Sequence, residues 1–393
     1  MMTDRELFFR YLAQTSAEPV GLEIVSGSGI YLYSNDNKRY IDLISGIAVS
    51  SLGHSHPEVV AAIAEQAAKH MHVMVYGEYI QAPQLRLAEM LVRFLPPELD
   101  NVYFTNSGSE AVEGAVKLAK RHSGRPRVVA FHHAYHGHTQ GSMSLIGDAG
   151  MRQAFIPLLP GTSFLNFNDS GELDRIDERT ACVIVEPVQG EAGIRVAERG
   201  FLEALAKRCR DTGTLLIFDE AQTGLGRTGS LFAFEQYGIV PDILILAKAL
   251  GAGMPLGAFI AGRNIMQDLT HDPPLGHITT FGGHPVSCAA ALAGLQVLIR
   301  GQYWKSVPAR TKLFIDQLSA HPSVKEIRHA GFMMAIELGD EMKVKETIRR
   351  CFQHGLLTDW FLFCPTALRI APPLIITEEE IMSATEILLR NIA

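Results

Sequence analysis

"LLIFDEAQTGLGRTG", residues 215–229, sets a short apolar run against two acids and then a glycine-rich turn. Two readings compete for it. Gly224, Gly226 and Gly229 have the G-x-G-x-x-G spacing of a dinucleotide loop. That loop works only when the glycines follow a strand directly and open a helix, so that pyrophosphate meets the free amides at the helix start. Here "DEAQT" (219–223) intervenes, and "SLFAFEQYG" (230–238) predicts only a short helical stretch. Asp242, a later acid, precedes a strand, whereas a ribose-binding acid ends one. The dinucleotide reading fails, and Asp219 and Glu220 at the end of a buried run become the feature to explain.

The same pattern recurs along the chain. "NVYFTN" (101–106), "RVVAF" (127–131), "ACVIVEP" (181–187) and "DILILAK" (242–248) are near-continuous apolar runs that stop at, or just before, a polar residue. Strands covered by helices on both faces read this way, so a mostly parallel α/β sheet is predicted. "PEVVAAIAEQAAKH" (57–70) places Val59, Ile63 and Ala67 at helical spacing, and the polar cluster in "GIYLYSNDNKRYIDLISG" (29–46) predicts a hairpin. Past residue 285 the character changes. A helix from Pro285 to about Leu298, a further helical run, "GFMMAIELG" (331–339), a helix near 341–354, "LRIAPPLII" (368–376) and a closing helix from Glu378 make an α+β unit. The expected division is 1–53 as an N-terminal segment of a small domain, 54–285 as the large domain and 286–393 as the rest of the small one.

Bulk properties narrow the function. The 393 residues are 47% apolar and 20% charged, with a net charge of −7 spread over the whole chain. Without a basic tract, nucleic acid and anionic membrane are not expected partners. No apolar stretch approaches the roughly 18 residues that a membrane helix needs. The five cysteines lie far apart with no C-x-x-C, which argues against a disulfide framework or zinc site and for reduced thiols. The opening "MMTDRELFFRYLAQTS" lacks an apolar signal core, so a soluble cytoplasmic protein is expected.

Open α/β sheets place ligands at the carboxyl ends of their strands. There the sequence offers Asn106-Ser107-Gly108-Ser109, His132 to His138, Glu186, Asp219-Glu220 and Lys248. "SGSEAVEGAVKLAK" (107–120) opens a helix whose first amides can grip a phosphate, with Gly108 allowing close approach. Taken alone, a serine cap on that helix is the commoner explanation. Lys248 changes the balance, because a lysine ending a buried strand is costly unless paired or used. Desolvation frees its neutral amine for Schiff-base chemistry. Asp219 can hold a protonated pyridine nitrogen, and Tyr135 offers a flat face. A phosphate cradle, a Schiff-base lysine, a ring acid and an aromatic lid together describe pyridoxal phosphate.

With those residues in view, the chain resembles the class-III aminotransferases, the family of acetylornithine, ornithine and 4-aminobutyrate aminotransferases. The likeness covers nearly the whole chain and includes "LISGIAVSSLGHSHPEV", "TNSGSEAVEGAVKLAK", "YHGHT", "VEPVQGEAG", "TTFGGHPVSCAAAL" and "PDILILAKALGAGMPLGA". It implies the fold type I of pyridoxal-phosphate-dependent transferases, with a mostly parallel seven-stranded sheet and a smaller α+β domain. It also implies roles. Lys248 carries the cofactor as a Schiff base and shuttles a proton, Asp219 pairs with the pyridine nitrogen, and Gln222 contacts the phenolic oxygen. Ser107, Gly108 and Ser109 bind phosphate, Tyr135 stacks on the ring beside His136, and Glu186 supports the cofactor region. Thr280 reaches the phosphate of a neighbouring subunit, so a homodimer with shared sites is expected. Arg369 and Glu191 resemble the family's carboxylate switch, in which the arginine takes a substrate carboxylate and the glutamate otherwise neutralises it.

Two departures concern the substrate. His138 stands where acetylornithine and ornithine aminotransferases have an arginine for a distal carboxylate, and a histidine lacks that fork geometry. Ile47 lies where ornithine aminotransferases have a tyrosine. Residues 74–79, "MVYGEY", are expected to line the pocket. The four histidines of "FHHAYHGH" (131–138) read as a loop near the cofactor and not as a metal site. The expected reaction is transfer of an amino group from an ω-amino acid, such as acetylornithine, ornithine or 4-aminobutyrate, to a 2-oxo acid such as 2-oxoglutarate. The alternatives are a racemase or epimerase, an aminomutase or a phospho-lyase on the same fold, or a cofactor-binding protein without turnover. Retention of Lys248 beside Asp219, Gly108 and Arg369 speaks against the last.

Overall fold

The computed structural model describes residues 2–75 and 77–393. After a helix at Asp4–Tyr11 come the strands β1 (Ile24–Ser28), β2 (Tyr31–Ser34) and β3 (Arg39–Asp42). The large sheet is built from β4 (Asn101–Thr105), β5 (Arg127–Phe131), β6 (Thr162–Leu165) and β7 (Thr180–Val185). A two-stranded ribbon, β8 (Val188–Gln189) and β9 (Arg195–Val196), precedes its remaining strands β10 (Leu215–Asp219), β11 (Ile243–Leu246) and β12 (Gly257–Ala261). The C-terminal part contributes β13 (Glu326–Ala330), β14 (Met333–Glu337), β15 (Leu356–Leu357), β16 (Asp359–Phe361) and β17 (Cys364–Ile370).

The large sheet has the order β4-β12-β11-β10-β7-β5-β6, and only β12 runs against the others. Alternate residues feed two cores. Val128, Ala130, Cys182, Ile184, Ile217, Ile243 and Ile245 pack with Ala111, Ala115 and Leu118 of the helix Gly108–Ser123. Val129, Phe131, Val183, Val185, Leu216, Phe218, Leu244 and Leu246 face the other way, toward Phe201, Leu202 and Leu205 of the helix Arg199–Thr212. Both faces are dry, which is why each strand reads as an unbroken apolar run.

The two ends of the chain meet. β15 extends the N-terminal hairpin by pairing in parallel with β3, Leu356 opposite Ile41. The helix Pro285–Gly301 packs on Pro57–Lys69 and Ala82–Val92, while β13, β14, β17 and β16 form a separate antiparallel sheet. Two strands of the large sheet, β6 and β12, were not predicted. "TSFL" is only four residues long, and "GAFIA" follows a glycine-rich loop and carries small residues that give little strand signal. "SLFAFEQYG" contains no more than a short 3-10 turn, Ala233–Gln236.

Because β12 is the lone reversed strand, β4, β5, β7, β10 and β11 all finish at the same end of the sheet, beside the start of β12. Gly257 opens β12 opposite Thr105, where a Cβ would lie 2.3 Å from the Ser107 carbonyl oxygen and 2.6 Å from Thr105 Oγ1. Backbone there cannot yield as a side chain would. Gly257→Ala is therefore expected to destabilise the protein by about 1–3 kcal/mol through overpacking, read as a lower denaturation midpoint. A midpoint equal to wild type would show that the turn after β4 is not rigidly seated.

Candidate active site

Each strand end delivers one part of a cavity of about 460 Å³. β4 ends in Asn106 and Ser107, and Ser107 caps the helix Gly108–Ser123 by accepting from Glu110 N at 3.2 Å. Glu110 reaches back to accept from Asn106 N and Nδ2, both at 2.8 Å. This leaves amides at the helix start facing the cavity, where an anion is favoured. A Cβ on Gly108 would sit 3.2 Å from the Ala247 Cβ, so the helix start lies against the segment that carries Lys248.

β5 leads into the loop with Tyr135 and His136. Tyr135 N donates to Glu186 Oε1 at 2.9 Å, and Gly190 N donates to the other oxygen at 3.2 Å. His136 Nδ1 lies 2.7 Å from Asp219 Oδ2 with the imidazole fully buried, and its Nε2 has no partner among the described residues. Asp219 Oδ1 accepts from Ala221 N at 3.0 Å. Burial pushes Glu186 up to about 7 against the opposing pull of His136, and burial raises the Tyr135 phenol to about 12. Gln222 passes so close to Gly190 that a Cβ there would lie 1.7 Å from Gln222 Oε1.

Lys248 follows β11 with a left-handed φ of 48°, a strained value for a residue with a Cβ. The residue is partly open to the cavity, while its amine is enclosed by protein. That enclosure lowers its pKa, although the charges of Glu191 and Asp219 act to raise it. The result is a larger neutral fraction, as nucleophilic and general-base lysines require.

Arg369, on β17, closes one side. Its Nη1 and Nη2 donate to Glu191 Oε1 and Oε2 at 3.0 and 2.7 Å, a bidentate pair buried on both sides. Nη2 also donates to Trp360 O at 3.1 Å, the guanidinium lies 4.5 Å from the Phe361 ring, and Nε has no partner among the described residues. Burial works to raise the Glu191 pKa, but the charge and hydrogen bonds of Arg369 overcome it and the net shift is downward.

Of the residues singled out in the sequence, Ser107, Gly108, Ser109, Tyr135, His136, Glu186, Glu191, Asp219, Gln222 and Lys248 line this cavity. Arg369 stands behind Glu191. His138 is exposed at the rim, its N donating to Ser109 Oγ at 3.2 Å and its ring edge-on to Tyr135. Ile47 does not line the cavity; Val49, two residues on, does. Thr280 is exposed on this chain. Within 74–79, Tyr76 lies outside the described residues, while Val75, Gly77 and Tyr79 line a separate cavity of about 310 Å³ with Tyr103, Phe104 and Thr279. Sequence reasoning missed Val49, Val188 and the Met254-Pro255-Leu256 wall. Only the last had a signal, its place just after Lys248.

These residues fit pyridoxal phosphate. Amides at a helix start meet a phosphate, a buried carboxylate held by a histidine meets a ring nitrogen, Tyr135 supplies a face, and an enclosed amine meets a carbonyl carbon. A family model described as aminotransferase class-III matches residues 12–392. An acetylornithine aminotransferase from Methanopyrus kandleri is 40% identical over 386 residues, covering 98% of this chain and 97% of the relative. The ornithine aminotransferase of Toxoplasma gondii, with PLP at partial occupancy in its active site, superimposes with a TM-score of 0.90 at 30% identity, covering 98% and 92% of the two chains. The omega transaminase of Pseudomonas jessenii in complex with PMP gives 0.92 at 28% identity, covering 99% and 97%.

Removing Arg369 alone leaves Glu191 as a buried carboxylate without its partner. Arg369→Leu is expected to destabilise by about 3–5 kcal/mol, and Arg369→Leu/Glu191→Leu by clearly less, since the unpaired charge is then gone. Melting curves of wild type, the single and the double variant check this. Equal losses would mean that Glu191 finds another cation.

Proposed function

The chain belongs to the class-III aminotransferases, and from that premise we propose that it moves the terminal amino group of an ω-amino acid to a 2-oxo acid such as 2-oxoglutarate. Pyridoxal phosphate is its cofactor and transamination its reaction class. When bound, the cofactor supplies an electron sink for the pair left on the carbon that bore the donor's amine. Everything else falls to the chain. The amides and hydroxyls of Ser107, Gly108 and Ser109 would hold the phosphate, and Asp219, oriented by His136, would hold the ring nitrogen. Tyr135 would cover a ring face and Gln222 would meet the phenolic oxygen, while Glu186 fixes the Tyr135 loop through its backbone. Lys248 would anchor the cofactor covalently and would be the base that moves a proton off the amine-bearing carbon. Arg369 receives the α-carboxylate of the 2-oxo acid after Glu191 withdraws.

The observation that carries this reading is the enclosed Lys248 amine opening on the same cavity as Asp219, with Arg369 closed by Glu191 beside it. A closed pair presents no free cation, which suits a donor that enters amine first with an uncharged stem. A homodimer is supported by the exposed apolar group Tyr79, Ile80, Leu85 and Phe281 beside Thr280, since an apolar patch of this kind marks an association surface. A reducing compartment such as the cytoplasm is in keeping with five free cysteines, four of them buried.

Lys248→Ala is expected to reduce turnover at least about 10³-fold and to abolish the visible absorbance of the covalently bound cofactor while the melting temperature stays close to that of wild type. Retained turnover would sink the assignment. Amine donors added singly to the wild-type holoenzyme, with no acceptor, should shift that absorbance to the amine form of the cofactor for at least one ω-amino acid. His138→Arg is expected to raise kcat/KM for donors with a second carboxylate at the far end. Unchanged specificity would remove His138 from the substrate's reach.

A further inference from the structure

Ser45, Gly46, Ile47 and Ala48 have φ values of 52°, 60°, 61° and 63°. Four consecutive residues thus lie in the left-handed region, and only one is glycine. The turn closes on itself, with Ala48 N donating to Ile44 O at 3.1 Å and Val49 N to Ser45 O at 2.8 Å. For L-residues a left-handed turn crowds each Cβ against the following carbonyl, so single left-handed residues are tolerated but runs of them are disfavoured. Such a run persists only where its surroundings over-determine it, and these sites cluster at functional positions.

The surroundings here are specific. Asp42, 3% exposed, directs Oδ1 at two amides of the turn, Ile44 N at 2.8 Å and Ser45 N at 2.9 Å. Its other oxygen lies 2.9 Å from His54 Nε2. His54 is fixed in turn by backbone bonds in both directions with Gly29. The fully buried Ser45 donates its hydroxyl to Ala371 O at 2.8 Å, and Ala371 N donates to Leu43 O at 2.7 Å. Ala371 is two residues beyond Arg369. The turn is therefore braced on one side by the carboxylate of Asp42 and on the other by the segment that continues from the Arg369 strand. Val49, the residue that leaves the turn, lines the cavity.

We infer that residues 45–48 are a strained turn that seats Val49 in the wall of the substrate pocket, and that Asp42 is the positioning residue whose carboxylate holds this turn, and with it Val49, in place for the donor. The inference rests on the proposed function in that the cavity's occupant is the amino donor. The hydrogen bonds of Asp42 and Ser45 go to the turn itself, to His54 and to Ala371, whereas the residues proposed to hold the cofactor end strands of the large sheet. Loss of the latch is expected to act on donor binding more than on cofactor capture.

The test compares wild type, Asp42→Asn, Asp42→Ala, Ala48→Gly and Asp42→Ala/Ala48→Gly as holoenzymes. Read for each are the donor KM, kcat, the bound-cofactor absorbance and the melting temperature. Asp42→Ala is expected to raise the donor KM about tenfold with a smaller change in kcat and with the absorbance kept. Asp42→Asn, which retains an oxygen for the two amides, should raise it less. Ala48→Gly should raise the melting temperature, because glycine accepts a left-handed φ at no steric cost. In the double variant it should also recover most of the lost donor affinity. A buried alanine in an unstrained segment behaves oppositely, so a lower melting temperature for Ala48→Gly overturns the inference, and that sign decides even if Asp42→Ala fails to fold. Parallel losses of KM and kcat without rescue overturn it as well. A wild type that transfers no amino group from any donor would count against the proposed function, while the melting comparison still reads the turn by itself.

Discussion

The cost of enclosing an amine at the end of a dry β-strand organises this molecule. Lys248 emerges from "ILIL", four fully buried residues, into a space walled by protein. A lone ammonium there would be desolvated at a price of several kcal/mol. The surroundings respond in two ways. The amine's pKa falls, and two carboxylates, Glu191 and Asp219, offset part of the fall. Those acids then need partners of their own, which places His136 on Asp219 and Arg369 on Glu191. Glu186 lies in the same cluster and meets the cost differently, with a pKa raised to about 7 and two backbone amides on its oxygens.

The large sheet was legible because its physics is local. A strand buried on both faces must be apolar at every position, so "RVVAF", "ACVIV" and "LLIF" announced themselves, and the polar residues that end them marked the ligand side. The helices Pro285–Gly301, Glu341–Gln353 and Glu378–Asn391 begin where the periodicity put them and end within a few residues of it. β12 escaped because reversing direction leaves no trace in composition, and Gly257 and Ala258 resemble loop. Gly257 is small for a contact reason, its approach to the Ser107 carbonyl, and such pairings across about 150 residues cannot be read from one strand alone.

The candidate site divides in the same way. Residues that finish strands of the large sheet were readable, since topology alone gathers strand ends. Residues from the N-terminal segment and the C-terminal sheet could be pointed to only through likeness to known enzymes, as Arg369 was, because their place depends on how separate units meet. Ile47 illustrates this. Likeness to known enzymes pointed at the position, yet the left-handed path of 45–48 brings Val49 to the cavity. Nothing in "SGIAV" signals four positive φ values, since three of the residues disfavour them. The cause is Asp42, Ser45 and Ala371 acting together, a set that spans more than 300 residues of sequence.

Under the proposed function, one cavity has to serve two different substrates, and the geometry of Arg369 supports a way of doing so. Its guanidinium is already satisfied by a bidentate carboxylate, a peptide carbonyl and an aromatic face. An incoming 2-oxo acid can offer the same fork-on-fork pairing, so exchanging one carboxylate for another conserves charge and hydrogen bonds at the arginine. What remains to be met is the displacement of Glu191, whose Oε2 also accepts from Leu362 N at 3.2 Å. The difference between open and closed states is thus a small residue of large, nearly equal terms, a condition under which a ligand's own carboxylate can tip the balance. A donor arriving amine first makes no such offer and leaves the pair shut. An arginine free in the resting state would bind any carboxylate, including the far end of the donor, and a lone glutamate would repel the acceptor. In the proposed function, pairing the two would let the chain present a neutral wall in one half-reaction and a cation in the other.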